Sequence, residues 1–250
     1  MIKKITTAST LEDALASVQE GASILSGGTF LSKNQDEIES VVDISRIPLS
    51  GIQITDQNIE IGANTKLQEL VLHPDIPKTL KEIIKREKSL NIRNAATIAG
   101  TLLTSKGESG IKSWFIGAQA VFRSYPKDSE QRVADDRIKD TIITSIQFDK
   151  RTNVVYQTVS RSPDDVIWVG VFLNTTCKPE YQIALCSFGT NVLELKIDVS
   201  KQDPQKAVHE LLINSRSQYS NKFCSFNYFL KISTILLLRL LDHTERSNDQ

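Results

Sequence analysis

Leu11, Ala14, Leu15 and Val18 recur at the spacing of one helical face, with Ser9 or Thr10 placed to cap the helix and Glu12 and Asp13 in its first turn. Gly21 ends that helix. Ser23-Ile24-Leu25-Ser26 then reads as a short strand emptying into Gly27-Gly28-Thr29, and Ser40-Val41-Val42-Asp43-Ile44 as a second strand. The unit is a small α/β layer. Ile52 and Ile54, then Ile59 and Ile61, flank Asp56-Gln57-Asn58 in the pattern of a β-hairpin. Thr65 is placed as the N-cap of a helix with Gln68 at N3, stopped by His73-Pro74. Pro77 opens another, with Leu80, Ile83 and Ile84 on its apolar face and an end near Leu90. The run Asn91-Ile92-Arg93-Asn94-Ala95-Ala96-Thr97-Ile98-Ala99-Gly100-Thr101 is rich in small residues and fits no ordinary long strand or helix.

Residues 113–122 read as a short helix running into a strand, and 142–148 resume strand alternation. Between them, 124–139 is highly charged, contains Pro126 and reads as a surface excursion. From Arg151 the character changes. Strands are predicted at 154–159, 166–173 and 181–188, then helices at 204–212 and about 221–243. The last helix would place Phe223, Phe226, Leu230, Ser233, Leu237, Leu240 and Leu241 on one face. A domain boundary falls near residue 150, and no repeat of fixed period is visible.

Composition narrows the function classes. The chain has 250 residues, 40% hydrophobic, with 30 Lys+Arg against 30 Asp+Glu. Zero net charge argues against a whole-protein electrostatic footprint for nucleic acid, though a local basic patch stays open. The three cysteines, Cys177, Cys186 and Cys224, form no CxxC, so neither a zinc ribbon nor an iron–sulfur cradle is expected, nor a disulfide framework. A reducing, cytoplasmic setting fits. The first seven residues have no apolar stretch behind their lysines, so no signal peptide is read. The most apolar segment, 232–241, contains Arg239 and falls well short of the roughly twenty residues of a membrane span.

Two small-residue turns could carry chemistry. In Leu25-Ser26-Gly27-Gly28-Thr29, glycines let backbone amides approach an oxyanion and Thr29 adds a hydroxyl. Thr97-Ile98-Ala99-Gly100-Thr101 offers the same groups. Taken alone, the first reads as a tight turn and the second as a closely packed loop, each with no ligand. As a pair they match the two phosphates of a pyrophosphate. No GxxxxGK[ST], GxSxG or HExxH occurs.

The segments Ser26-Gly27-Gly28-Thr29, Val42-Asp43-Ile44-Ser45-Arg46-Ile47-Pro48 and Ile61-Gly62-Ala63-Asn64-Thr65-Lys66-Leu67-Gln68-Glu69-Leu70 resemble the FAD-binding subunit of molybdenum hydroxylases, the flavoprotein parts of xanthine dehydrogenase and carbon monoxide dehydrogenase. Ile92-Arg93-Asn94-Ala95-Ala96-Thr97-Ile98-Ala99-Gly100 resembles that family's IRNxxTIGG motif. Val159-Ser160-Arg161, residues 166–173, Ile183-Ala184-Leu185 and Ser225-Phe226-Asn227-Tyr228-Phe229-Leu230 are similar to its C-terminal domain. The resemblance implies an α+β fold: a two-lobed FAD-binding domain of the vanillyl-alcohol-oxidase type at 1–150, with lobes of about 1–50 and 51–150, and a small domain of antiparallel sheet plus helices at 151–250.

The resemblance also implies the site. Leu25, Ser26, Gly27, Gly28, Thr29, Phe30 and Leu31 would form the turn that holds the pyrophosphate of FAD. Thr97, Ile98, Ala99, Gly100 and Thr101 would hold its other side. Ile143 matches a position near the flavin ring, Gln157 one where relatives can carry a basic residue, and Gly110 one where an Asp contacts the cofactor. Ala99 replaces a glycine, Thr101 an Asn or Asp, and Phe30 a polar residue. Implied partners are a molybdopterin-binding large subunit and a [2Fe-2S] small subunit, with an acceptor such as NAD. The alternative is a non-catalytic assembly subunit of the same fold that binds FAD weakly or not at all. No side chain is expected to act as acid–base catalyst.

The remaining candidates have plainer readings. His73, His209 and His243 read as surface or capping residues, and Asp164-Asp165 as a solvated turn after Pro163. Cys177 and Cys186 read as semi-buried thiols bracketing a turn between strands. Lys81, Lys85, Arg86 and Lys88 read as a solvated basic face, open also to an acidic partner.

Overall fold

The computed structural model describes residues 2–34, 36, 38–127, 129–135, 141–162, 165–188, 191–219, 221 and 223–246. It is an α+β structure of two compact units. The first comprises Met1–Ile76, Lys88–Thr104 and Ala120–Lys150; the second comprises Pro77–Glu87, Ser105–Gln119 and Arg151–Gln250.

The first unit opens with strand β1 (Lys4–Thr7), helix α1 (Leu11–Gln19), β2 (Ser23–Leu25) and β3 (Ser40–Asp43). The strands form a parallel sheet in the order β1-β3-β2. Thr10 is the cap of α1, its hydroxyl accepting the Asp13 N–H at 3.2 Å. Gly21 follows the helix at φ +91°, a backbone conformation that glycine adopts without steric cost. Ala14, Val42, Ile44 and Ile47 form the core of this layer and reach Ile142.

Five antiparallel strands make the second sheet of this unit, in the order β4-β5-β8-β6-β7. They are β4 (Ile52–Ile54), β5 (Asn58–Gly62), β6 (Val121–Tyr125), β7 (Ser129–Arg132) and β8 (Ile142–Asp149). The β4–β5 hairpin is as expected, with Ile54 opposite Ile59. The charged excursion is partly regular: Ser124 pairs with Ser129, so β6 and β7 form a hairpin. Residues 128 and 136–139 of that segment lie outside the described residues.

Three short helices complete the unit: α2 (Leu67–Leu72), α4 (Leu90–Ala95) and α5 (Ile98–Thr104). The cap of α2 lies one residue later than expected. Lys66 is the N-cap, and the Glu69 carboxylate accepts its backbone N–H at 2.9 Å. The Thr65 hydroxyl is withdrawn to pair with both backbone groups of Gly51, at 3.0 Å each. The small-residue run is two short helices broken at Ala96 and Thr97, where Thr97 bridges Lys66 as in an antiparallel ladder.

The second unit is a four-stranded antiparallel sheet, ordered β12-β11-β10-β9, covered on both faces. Its strands are β9 (Val154–Val159), β10 (Val169–Asn174), β11 (Glu180–Cys186) and β12 (Leu193–Asp198), the last not anticipated. Helices α7 (Pro204–Asn214) and α8 (Phe226–Arg246) cover one face, where Val169, Val171, Leu173, Ile183 and Leu185 meet Leu212, Leu237 and Leu240. Helices α3 (Lys78–Glu87) and α6 (Gly110–Gly117) belong to the other, where Asn174 donates to the Gly117 carbonyl at 3.0 Å. Every residue of β10 is therefore buried, which explains its unbroken apolar run.

Helix α3 ends at Glu87, and Leu90 instead begins α4. Asp203 caps α7 with Pro204 at N1, and the Ser225 hydroxyl accepts the Tyr228 N–H at the start of α8. The buried face of α8 is Phe229, Ser233, Leu236, Leu237, Leu240 and Leu241. Phe223 precedes the helix and stacks on Trp168, with ring centroids 5.8 Å apart. Cys177 is exposed in the β10–β11 turn, whereas Cys186 is fully buried at the end of β11 rather than flanking that turn. Arg86 is not a solvated cation: its guanidinium donates to the hydroxyls of Thr158 and Ser160. His73 is the C-cap of α2, and its Nδ1 accepts the Asp75 N–H. Pro163 and Asp164 lie outside the described residues, and Asp165 pairs with Arg161 at 3.2 Å.

Candidate cofactor site

Strand β2 stops at Leu25 because the next residues leave the ladder for a turn. Leu25 still accepts the Ile44 N–H, at 3.1 Å. Beyond it the carbonyls of Gly28, Thr29 and Phe30 are taken up by Ser32, Lys33 and Asn34 in a tight 3-10 turn (Leu31–Lys33). The N–H groups of Gly27, Gly28, Thr29, Phe30 and Leu31 are left over, and none donates to a described residue. Gly28 is at φ +73°, which permits this reversal. Consecutive unpaired amides of this kind form an anion-binding nest. Phe30 is exposed beside them.

Gly27 is required by close approach. A Cβ there would fall onto the Ala95 carbonyl oxygen and lie 3.1 Å from Ala96 Cα. The turn after β2 is thus pressed against the α4–α5 break. Ser26 fastens the same approach from its side, donating to Asn64 Oδ1 at 2.7 Å with Thr97 Oγ1 at 3.3 Å. Asn64 is buried and anchored in turn, donating to the Ile44 carbonyl at 3.2 Å. Three segments distant in sequence, the β2 turn, the β5–α2 link and the α4–α5 break, therefore meet at Ser26, Asn64 and Thr97.

The second turn presents fewer groups than its composition implies. The Ile98 N–H donates to Thr65 O at 2.9 Å, Ala99 to Ala63 O at 3.2 Å, and Thr101 to Thr97 O at 2.9 Å. The Thr101 hydroxyl also bonds back to Thr97 O, at 2.8 Å. Ile98 and Ala99 spend their N–H donors holding the break to the β5–α2 link, and Thr101 spends both of its donors on Thr97 within the break itself. The Thr97 and Gly100 N–H groups have no acceptor among the described residues, and Thr97 is only 2% exposed. A Cβ on Gly100 would stand 2.9 Å from Thr97 Oγ1, so glycine keeps that hydroxyl clear. An unpartnered amide on a buried residue beside a nest of five others fits an anionic cofactor.

Ile143 is buried on β8, next to Thr144, whose carbonyl accepts the Ala63 N–H at 2.9 Å. Gly110 and Gln157 belong to the second unit. Gln157 is half-buried on β9, opposite Val171. Gly110 starts α6, and a Cβ there would meet Ile83 Cγ1 at 2.6 Å. The Glu87 carboxylate occupies that helix start, accepting from the Ser109 hydroxyl and the Ile111 N–H. Asn64 and Lys66 were not singled out from sequence. The local signal for Asn64 was a polar side chain between the buried Ala63 and Leu67. Lys66 Nζ donates to the Ala95 carbonyl at 3.0 Å.

Among the described residues no helix is long and apolar enough to cross a membrane, and no group of three or more His, Cys, Asp or Glu is placed to hold a metal ion.

Chains in the structures of carbon monoxide dehydrogenase from Hydrogenophaga pseudoflava and from Oligotropha carboxidovorans match this chain with TM-scores of 0.76 and 0.77, each at 17% identity and over 96% of both chains. Quinoline 2-oxidoreductase from Pseudomonas putida 86 matches with a TM-score of 0.76 at 13% identity, over 96% of this chain and 95% of that one. At these identities the likeness is one of fold. The sequence profile of the FAD binding domain in molybdopterin dehydrogenase matches residues 2–146, which include both turns. The chain belongs to that family, and its cofactor is FAD. No curated protein sequence matches it.

Proposed function

We propose that this chain is the FAD-carrying electron-transfer subunit of a cytoplasmic molybdopterin-dependent dehydrogenase or hydroxylase. It would take electrons from the [2Fe-2S] clusters of a small partner subunit, with substrate oxidised on a molybdopterin-binding large subunit and NAD or a similar acceptor receiving the electrons. When bound, FAD supplies the redox chemistry. The chain's own residues bind and orient it: the N–H groups of residues 27–31 and of Thr97 and Gly100 hold the pyrophosphate, with Ser26 and Asn64 fixing the two turns against each other. Ile143 is a further proposed cofactor contact within the same unit.

The observation that carries this reading is the row of unpartnered amides after β2, joined by the amide of the buried Thr97. Its surroundings are supported by the similar proteins, one of which is a Cu,Mo-CO dehydrogenase. The test is the visible spectrum of the purified protein and of Gly28→Asp, which sets a carboxylate against the phosphates. The wild type is expected to carry flavin bands, and the variant to lose them while keeping its fold by circular dichroism. Undiminished flavin in Gly28→Asp would remove the proposed pyrophosphate site. A colourless wild type that takes up no added FAD would favour the assembly-subunit reading, and persistent isolation as a lone monomer would count against the partners.

A further inference from the structure

We propose that Lys66 supplies the positive charge of the pyrophosphate site. The inference rests on the placement of that site at residues 27–31. Lys66 caps α2 and is half-buried, with Nζ donating to the Ala95 carbonyl at 3.0 Å. The same carbonyl oxygen is the one Gly27 presses against. Two groups sharing one oxygen are close to each other: the ammonium stands no more than about 7 Å from Gly27 Cα, by bond and hydrogen-bond lengths alone.

The ammonium is otherwise poorly served. It has three N–H donors, and Ala95 O is its one acceptor among the described residues. No described carboxylate lies within ion-pair distance of it, and the acid of its own helix, Glu69, is engaged with the Lys66 backbone N–H. A strongly hydrated cation drawn partly out of water is stable where an anion or several acceptors replace that water. Beside it stands Gly27, the first of the row of amides at residues 27–31 that also lack acceptors. Cation and amides have one complement in common, a phosphate anion. The amides supply a fixed geometry. The lysine, on a flexible stem, turns its remaining donors to a phosphate oxygen while keeping or releasing Ala95 O.

Full-length Lys66→Met, Lys66→Gln and Lys66→Arg test this. Apo-protein is titrated with FAD by quenching of flavin fluorescence, at about 0.01 M and about 1 M salt, where screening lengths are about 30 and 3 Å. Wild type and Lys66→Arg should weaken with salt in parallel. Lys66→Met and Lys66→Gln should bind about tenfold more weakly at low salt, as expected for a lost charge-assisted hydrogen bond, and respond much less to salt. Lys66→Gln keeps a donor for Ala95 O, so its apo form should melt like wild type and still lose the salt-dependent affinity. Wild-type affinity and salt response in Lys66→Met overturn the proposal. So does weaker binding with an unchanged salt response, which would make Lys66 a structural tie to Ala95. Gly28→Asp run alongside separates the two readings. If it loses FAD while the Lys66 variants do not, the cradle stands and Lys66 has no part in it. If it keeps FAD, the cradle itself fails.

Discussion

Replacing Gly27 by alanine should cost more than any other single methyl added to the glycines of the first turn region, and the structure says why. The new Cβ would land on the Ala95 carbonyl oxygen and lie 3.1 Å from both Ala95 C and Ala96 Cα. All three are backbone atoms, so no rotamer change relieves the clash. The α4–α5 break is held in place by Ala96 N–H on Ile92 O at 2.7 Å and by Ala96 O accepting from Leu67 N–H at 3.0 Å. The β2 turn must therefore move, and it carries Ser26 away from the buried Asn64. Overpacking of this kind costs about 1–3 kcal/mol. A lost hydrogen bond adds about 1 kcal/mol, for a total of about 2–4 kcal/mol.

Two neighbouring glycines serve as controls. Gly21 is at φ +91° with nothing within 4 Å of a new Cβ, and Gly28 is at φ +73° with Leu25 Cδ1 at an ordinary 3.5 Å. Alanine at either should cost only the left-handed backbone term, about 1–2 kcal/mol. Urea unfolding of the three apo variants gives the order, and flavin titration gives the functional consequence: Gly27→Ala and Gly28→Ala should weaken FAD binding, Gly21→Ala should not. A Gly27→Ala variant no less stable than Gly21→Ala would refute the close approach of the two turns, and with it the geometry of the site.

Two further predictions concern the second unit. Burial pushes the Cys186 thiol up to about 12, so it should resist iodoacetamide in the native protein at neutral pH while exposed Cys177 is alkylated; peptide mass mapping decides, and native labelling of Cys186 would refute its burial. Hydrogen bonds from Lys201 and Ser200 hold the Asp198 carboxyl down to about 2 from an ordinary 3.8. Because the folded value is depressed, its contribution to stability is complete above about 3.8 and is lost as pH falls through about 2. Carboxylate NMR should show that midpoint in the wild type and a higher one in Lys201→Gln, and a wild-type midpoint at the ordinary value would refute the pairing.

Local signals carried much of the fold. The Thr10 cap, the β4–β5 hairpin around residues 56–58, the Asp203-Pro204 helix start and the glycine turn after β2 are all short-range patterns whose physics is complete within a few residues. Errors arose where a distant partner outbid the local pattern. Thr65 is a good N-cap by sequence, yet its hydroxyl serves Gly51 and the cap passes to Lys66. The charged segment after Tyr125 lacks apolar alternation, yet pairs with β6 because a ladder is built from backbone groups rather than side chains. On α8, Phe229 and Leu236 were missed because the sheet beneath covers a wider stripe than the narrow face drawn from sequence.

The same division runs through the cofactor site. By itself the sequence determined that two glycine-bearing turns exist, what kind of residue fills them and which family they resemble, since turn chemistry and motif are properties of neighbouring residues. Only the tertiary structure decided which donors are free. The amides of Ile98, Ala99 and Thr101 look as available on paper as those of residues 27–31, but they are bound to Thr65, Ala63 and Thr97. Gly27 looks like one more flexible glycine, and is in fact the point where two segments touch. Lys66 looks like a surface lysine until Ala95 O is found beside it. A hydrogen-bonding group is one property and its partner another, and the partner is chosen by whichever segment the fold brings alongside.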